Sequence, residues 1–527
     1  MDGPDRPDLP DWLAACERSP ADALRETVRS GARIGSGLGT SEPSSFYAGL
    51  WDHVVAHDVH DVEIRQALFL EAYPILVGDA LDVEAPDLPG PLDGVGERVT
   101  DAVRLRRLRT HVDALAERRI TLRSAFLGPV LSSLVPDSPV TRTIAPRLAG
   151  RNRVTAGTVR YQPVHFPDAG DALARDPDTG ELSVDLFVQP MSWPRDGELS
   201  FGLSNGVNGD VADDVLDSDR ARLLLYLNRQ LPFVRGRDGA PNTLPVGRLR
   251  RLADDGRLTV VVEDTAPPGL PAGTFDTPEG ETAEIGARVA AHVVEHLDHT
   301  RGRALQVGIG ATSVAAVRQL SSGPWTGRVV TEMLDPVTLD LLDDGTVEAP
   351  VVCTFAMGER GSAFPARLDG DERIEMVSAA HLLQPSRFAG GMGINNVLAI
   401  DFQGQVNATA RDHHPYSGVG GLATIMRGLA DGGVAYLCLR STHRDLDGNE
   451  RSSIMPALPE GTPVALTGFD LMGGRNGARV YLATEHGIAA LHGRPQDEVV
   501  RQLVSVAHPD HRAALAESAW EWLRIRV

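Results

Sequence analysis

The sequence predicts an α/β protein of two domains built on mainly parallel sheets, and three observations carry that prediction. Short apolar, β-branched runs recur down the chain, among them "VDLFVQPMSWP", "RLTVVVEDT", "ALQVGIGA" and "RVVTEML", and runs of this kind read as buried strands. From residue 281 onward such runs alternate regularly with helical stretches, as they do in α/β layers. The Pro/Gly-rich segment "TAPPGLPAGTFDTPEG" (265–280) interrupts the pattern and reads as a linker. A chain of 527 residues is long enough for two or more domains. The expected division is 1–270 and 271–527.

Taken in order, residues 1–30 read as a polar helical lead-in. "GARIGSGLGTSEPSSFYAGLWDHVV" follows as a strand, a Gly-rich turn and a helix capped near Ser41. Arg and Leu at helical spacing in "RVTDAVRLRRLRTHVDALAERR" mark residues 95–150 as a helical insertion. Strands resume with "RVTAGTVRY", "VDLFVQPMSWP", "ARLLLYLNRQLP" and "RLTVVVEDT". Beyond the linker come a helix near 281–299, the strand "ALQVGIGA", the helix "TSVAAVRQL", the strand "RVVTEML", the helix "PVTLDLLDDG" and the strand "APVVCTFAMG". "VLAIDFQGQV", "VAYLCLRST" and "ARVYLATEHG" are the remaining strands, with the helix "ATIMRGLADG" between the first two and helices after the last.

Composition narrows the partners. A formal charge of −21 argues against nucleic acid or an anionic membrane. No apolar run approaches the roughly 18 to 20 residues of a membrane span, and the acidic, Pro-rich "MDGPDRPDLPDW" is neither secretory signal nor transit peptide, so a cytoplasmic protein is expected. Cys16, Cys353 and Cys438 form no C-x-x-C pair, which leaves neither a disulfide framework nor a zinc knuckle. All 51 basic residues are arginine. That removes lysine Schiff-base chemistry and the "GK[ST]" step of a P-loop.

In open α/β sheets, ligands sit beyond the carboxyl ends of the strands. Glu332, in "RVVTEMLD", ends an apolar run at such a position, where charge is expensive unless paired or used. Gly308 and Gly310 lie at another strand end. "GIGATS" (308–313) has the first two glycines of a dinucleotide fingerprint and Ser313 in place of the third. A tight turn explains it; so does a helix start whose backbone N–H groups face an anion. "YSGVGG" (416–421) also precedes a helix, and three glycines in four positions suggest backbone approaching a ligand closely. His413-His414 has no metal-ligand spacing around it, so no metal is expected. There is no G-x-S-x-G elbow. Glu485, in "TEHG", reads as a structural carboxylate bonded to nearby backbone.

Together these segments resemble the acetyl-CoA hydrolase/CoA-transferase family. From about Leu305 to Trp520 the order runs GIGA, TEM, "AIDFQGQVNA", "YSGVGG", "ST", "IMPALPEGTPV", "TEHGIAALHGR" and "AHPDHRAAL". In the N-terminal half, "VDLFVQPMSWPRDGELSFGLSNG" (184–206) and "LNRQLPFVRG" are more distant matches. The resemblance implies two CoA-transferase-like α/β domains and a homodimer. It implies coenzyme A as part of an acyl-CoA substrate, a small carboxylate acceptor, and Glu332 as the nucleophile that forms a glutamyl-CoA thioester. Gly308, Ile309, Gly310, Ala311 and Thr312 would form the turn at the thioester, with Leu398, Ser417 and Gly421 as further CoA contacts. Backbone N–H groups at Gly421 and near Ile309 would make an oxyanion hole.

The departures are also informative. "STHR" puts Arg444 where the family has a CoA-contacting lysine; the charge is kept and a planar fork gained. His486 replaces a tyrosine in "TEHG". His381, in "AAHLLQP", stands where the family has an asparagine that orients the small carboxylate and the glutamate, so the acyl group or acceptor is expected to differ from the common acetate. CoA transfer is therefore the leading expectation. Acyl-CoA hydrolysis, or acyl transfer to a non-carboxylate acceptor, is the second reading, and a non-catalytic CoA-binding protein the third.

Overall fold

The computed structural model describes residues 8–37, 39–79, 102–128, 131, 158–411, 414–415, 417–445 and 449–527. The chain forms two compact units, Met1–Ala272 with Thr354–His381, and Gly273–Cys353 with Leu382–Val527. The first crossing falls inside the 265–280 linker. A single boundary at 270/271 does not describe the molecule, however, because residues 354–381 return to the first unit.

The first unit is built on a seven-stranded sheet. Its strands are β1 (Arg33–Ser36), β2 (Glu63–Gln66), β3 (Thr121–Ser124), β4 (Val159–Tyr161), β5 (Leu186–Ser192), β6 (Arg222–Asn228) and β7 (Leu258–Glu263), in the order β4-β3-β2-β1-β5-β6-β7. Every pairing is parallel. Parallel sheets covered on both faces need strands that are apolar throughout, and β5 shows why its run does not alternate. Leu186 and Val188 enter one core with Ile34, Ile64, Leu122 and Tyr226, while Phe187 and Met191 enter a second with Leu223, Leu225 and Val260.

Two local readings change. The helix after β1 is Ser44–Ala56, begun at Pro43 without a side-chain cap. Ser41 sits in the preceding turn and donates Oγ–H to the Ser204 carbonyl at 3.0 Å instead. In the segment read as a helical insertion, the helix covers Ala102–Glu117 and the chain then enters β3, an inner strand of the sheet. Residues 95–101, 129–130 and 132–150 of that segment lie outside the described residues.

In the second unit the order is β10-β9-β8-β11-β12-β13-β14: β8 (Ala304–Val307), β9 (Gly327–Val330), β10 (Val347–Cys353), β11 (Met392–Asn396), β12 (Val434–Cys438), β13 (Arg479–Thr484) and β14 (Gly487–Ala490). All pairings are parallel except the β13–β14 hairpin, so "ARVYLATEHG" is not the final strand. "VLAIDFQGQV" is not in this sheet either; Ala399–Asp401 belongs to a separate three-stranded one. The strand order reverses between β8 and β11. Such a switch point, at the carboxyl ends, is where an open parallel sheet leaves a crevice. Among the described residues no helix is long and apolar enough to cross a membrane.

Candidate active site

Glu332 lies two residues past the end of β9 and is 9% exposed. The residue before it anchors the strand end: Thr331 Oγ1 donates to the Val307 carbonyl at 2.9 Å and accepts the Val307 N–H at 3.3 Å, tying β9 to β8. The carboxylate meets backbone from another element. Gly421 N–H, at the start of the helix Leu422–Leu429, donates to Glu332 Oε1 at 2.9 Å. Burial pushes the Glu332 carboxyl up to about 7, and the Gly421 N–H offsets part of that rise.

Why this corner is glycine follows from distance. A Cβ on Gly421 would stand 2.5 Å from Leu383 Cδ2 and 3.0 Å from Glu332 Oε1. Gly420 takes φ +60° beside the same carboxylate oxygen. Two glycines thus bring main chain, rather than side chain, onto the acid.

The turn Gly308–Thr312 follows β8 at the switch point and leads into the helix Ala311–Ser321. Gly310 has φ +133°, and a Cβ on Gly308 would lie 2.8 Å from Asn395 Oδ1. Ile309 is 56% exposed and Ala311 is exposed too, so the turn reaches the surface at a helix start. The sequence pattern singled out this turn but not what braces it. Asn395 and Gln306 exchange amide hydrogen bonds of 2.8 and 3.1 Å between β11 and β8. Asn396 bonds the turn itself. Leu383, the wall behind Gly421, carries no signal in the sequence beyond being apolar.

The other expected site residues fall as follows. Leu398 is half-buried, its N–H bonded to the Asn407 carbonyl at 2.8 Å. Ser417 N–H donates to the Thr409 carbonyl at 3.1 Å. Arg444 is exposed at the end of a two-stranded hairpin with Glu450–Ser452. His381 belongs to the first unit, where its N–H donates to Ser378 Oγ at 3.3 Å. Glu485 is buried and accepts from the Ser441 N–H and hydroxyl, with His486 Nε2 3.4 Å away, which is the structural arrangement expected of it. His413 lies outside the described residues. Among the described residues, no group of three or more His, Cys, Asp or Glu is placed to hold a metal.

Comparison with known proteins bears on the whole arrangement. Residues 362–519 match the acetyl-CoA hydrolase/transferase C-terminal domain. The chain is 30% identical over 257 residues (46% of this chain, 50% of the relative) to succinyl-CoA:acetate/propanoyl-CoA:succinate CoA transferase of Fasciola hepatica. It is also 30% identical over 237 residues (42% and 51%) to succinyl-CoA:cyclohexane-1-carboxylate CoA transferase of Geobacter metallireducens. The chain thus spans about half the length of these curated relatives. The crystal structure of RipA from Yersinia pestis shares the fold, with a TM-score of 0.71 at 22% identity over 98% of this chain and 99% of that one. Over residues 362–519 the chain thus matches the acetyl-CoA hydrolase/transferase C-terminal domain, and the relatives it is similar to are CoA transferases.

Proposed function

We propose that the protein transfers CoA from an acyl-CoA to a carboxylate acceptor, with Glu332 as the covalent nucleophile. The observation that carries this reading is the Glu332 carboxylate itself, buried at a strand end with the Gly421 N–H 2.9 Å from Oε1. The relatives named above, both CoA transferases acting with carboxylates, support the same class.

The ionised Glu332 uses Oε2 to attack the thioester carbonyl, forming an acyl-glutamyl anhydride and expelling CoA thiolate. The thiolate then attacks the glutamyl carbonyl carbon. As that carbon becomes tetrahedral the electron pair moves onto Oε1, which already faces the Gly421 N–H. Collapse expels the acyl group as its carboxylate, carrying the bridging oxygen, and leaves a glutamyl-CoA thioester. An acceptor carboxylate reverses the sequence. Forming an anhydride from a thioester is uphill, and a pre-aimed backbone donor offsets part of that cost; losing one such donor typically costs about 3 to 4 kcal/mol. The exposed glycine turn Gly308–Gly310 would take the thioester arm, and the nucleotide end, bound remotely, would supply further binding energy. Arg444 and the helix start after Gly310 are the candidates to meet its phosphates.

The chemistry predicts ping-pong kinetics and an enzyme-bound intermediate that outlives the first product. Mixing enzyme and acyl-CoA without acceptor, then quenching with hydroxylamine, should convert Glu332 to a hydroxamate found by mass in a peptide digest. Free thiol released steadily without acceptor would make the protein a hydrolase. A mark on another residue, or none despite turnover, would refute the mechanism. Glu332→Gln should hold CoA and keep the fold, because the amide is nearly isosteric, yet retain less than a few per cent of turnover in a direct CoA-exchange assay.

A further inference from the structure

The turn Gly308–Gly310 is held by a side chain from the neighbouring strand. Asn396, the last residue of β11, donates through Nδ2 to the Ile309 carbonyl at 2.9 Å and to Ser313 Oγ at 3.0 Å. Ser313 is fully buried and passes its own proton on to the Ile394 carbonyl at 3.3 Å, which also accepts the Gly308 N–H at 2.7 Å. The serine that replaces the third glycine of the fingerprint is therefore a link in a short chain from β11 to the turn. Both Nδ2 hydrogens are committed. The amide cannot be flipped, because Oδ1 would then face the Ile309 carbonyl, oxygen against oxygen.

Asn396 Oδ1 is buried without a hydrogen-bond partner. An orphaned buried carbonyl lowers stability, and an apolar side chain there would avoid it. What Asn396 provides is the shape of the turn. Beyond Gly308 the turn has little packing of its own: Ile309 is 56% exposed, and Gly310, at φ +133°, has no side chain with which to anchor it. A glycine turn left to itself samples many conformations and must be ordered when a ligand binds. A brace that orders it beforehand lowers the cost of binding.

We infer that Asn396 is a positioning residue that sets the Gly308–Gly310 backbone for the pantetheine arm of CoA, and that it acts on CoA affinity rather than on the chemical step. The inference rests on the CoA reading above. Asn396→Asp keeps the size and removes both donated bonds. Asn396→Ala also deletes the orphaned oxygen, and so remains informative should the aspartate variant fold poorly. Titration calorimetry with CoA should show about tenfold weaker binding for either variant. The kcat at saturating acyl-CoA should stay near wild type, amide exchange across 308–314 should quicken, and the melting temperature of Asn396→Ala should be equal or higher. Ser313→Ala, which leaves the Ile309 bond in place, should show a smaller loss of affinity. If wild type binds CoA and both Asn396 variants bind it equally well, or if kcat falls while affinity holds, the positioning role is wrong and the CoA reading survives. If wild type does not bind CoA, both are wrong.

Discussion

If Glu332 is the nucleophile, as proposed, its burial sets the pH at which that nucleophile is present. Its carboxyl is raised to about 7, so below that value it is a neutral acid with little nucleophilicity, and above it an anion. The kcat/KM for acyl-CoA should therefore climb roughly tenfold per pH unit on the acid side and level off above about 7. A profile flat from pH 5.5 to 8 would mean that a different group carries the reaction. At this scale the sequence was readable where chemistry contradicts its surroundings. A carboxylate closing "RVVTE" is conspicuous, and the family resemblance then gave it a role. Asn396 was not readable: in "GINNVL" it looks like any polar residue at a strand end, and its partners, Ile309 and Ser313, are more than eighty residues away.

Among the elements, strands with continuous apolar runs were legible, and β11 was not. Met392–Asn396 reads "MGINN", with one β-branched residue, although it is a central strand. Its glycine is there because a Cβ on Gly393 would lie 2.7 Å from Leu429 Cδ1 and 2.9 Å from Gln306 Oε1. Its first asparagine is satisfied by Gln306 across the sheet. Packing and cross-strand amide pairing override strand propensity here. The glycine loop before Leu422–Leu429 was legible as close-approaching backbone, but the physical reason differs between its glycines. The positive φ belongs to Gly420; Gly421 has φ −93° and needs glycine for space. Gly421→Val should therefore act through steric displacement of Leu383 and Glu332, with no backbone strain. Overpacking of this kind typically costs about 1 to 3 kcal/mol, whereas moving the N–H off Oε1 should lower kcat by about two orders of magnitude or more. Thermal melting and steady-state kinetics on the one variant would separate the two effects. An unaltered kcat would mean that the loop only makes the turn.

Across the whole molecule, strand–helix alternation foretold the class of both units but not the return of residues 354–381 to the first. The reason is that a periodic pattern records local burial and says nothing about which core a segment enters. Stability, by contrast, belongs to the whole chain, and Glu332 should leave a mark on it. In the unfolded chain its carboxyl ionises near the ordinary 4.5; in the folded protein it does so at about 7. Below pH 4.5 both states are protonated and the group contributes nothing to pH dependence. Between 4.5 and 7 the unfolded state has lost a proton that the folded state keeps, so stability falls as pH rises. Above 7 the loss is complete, and 2.5 units at 1.36 kcal/mol each make it about 3 kcal/mol. Glu332→Gln removes the titration while keeping an oxygen for the Gly421 N–H. Its stability advantage over wild type, followed by denaturant or thermal unfolding, should thus be small near pH 4.5, grow through pH 6 and be constant above about 7.5. An advantage independent of pH would show that the carboxylate is not destabilised in the folded state, and a variant less stable than wild type at pH 8 would show that the anion is held by more than one backbone donor. The expected outcome is an inactive variant that is the more stable protein at the pH where the wild type works.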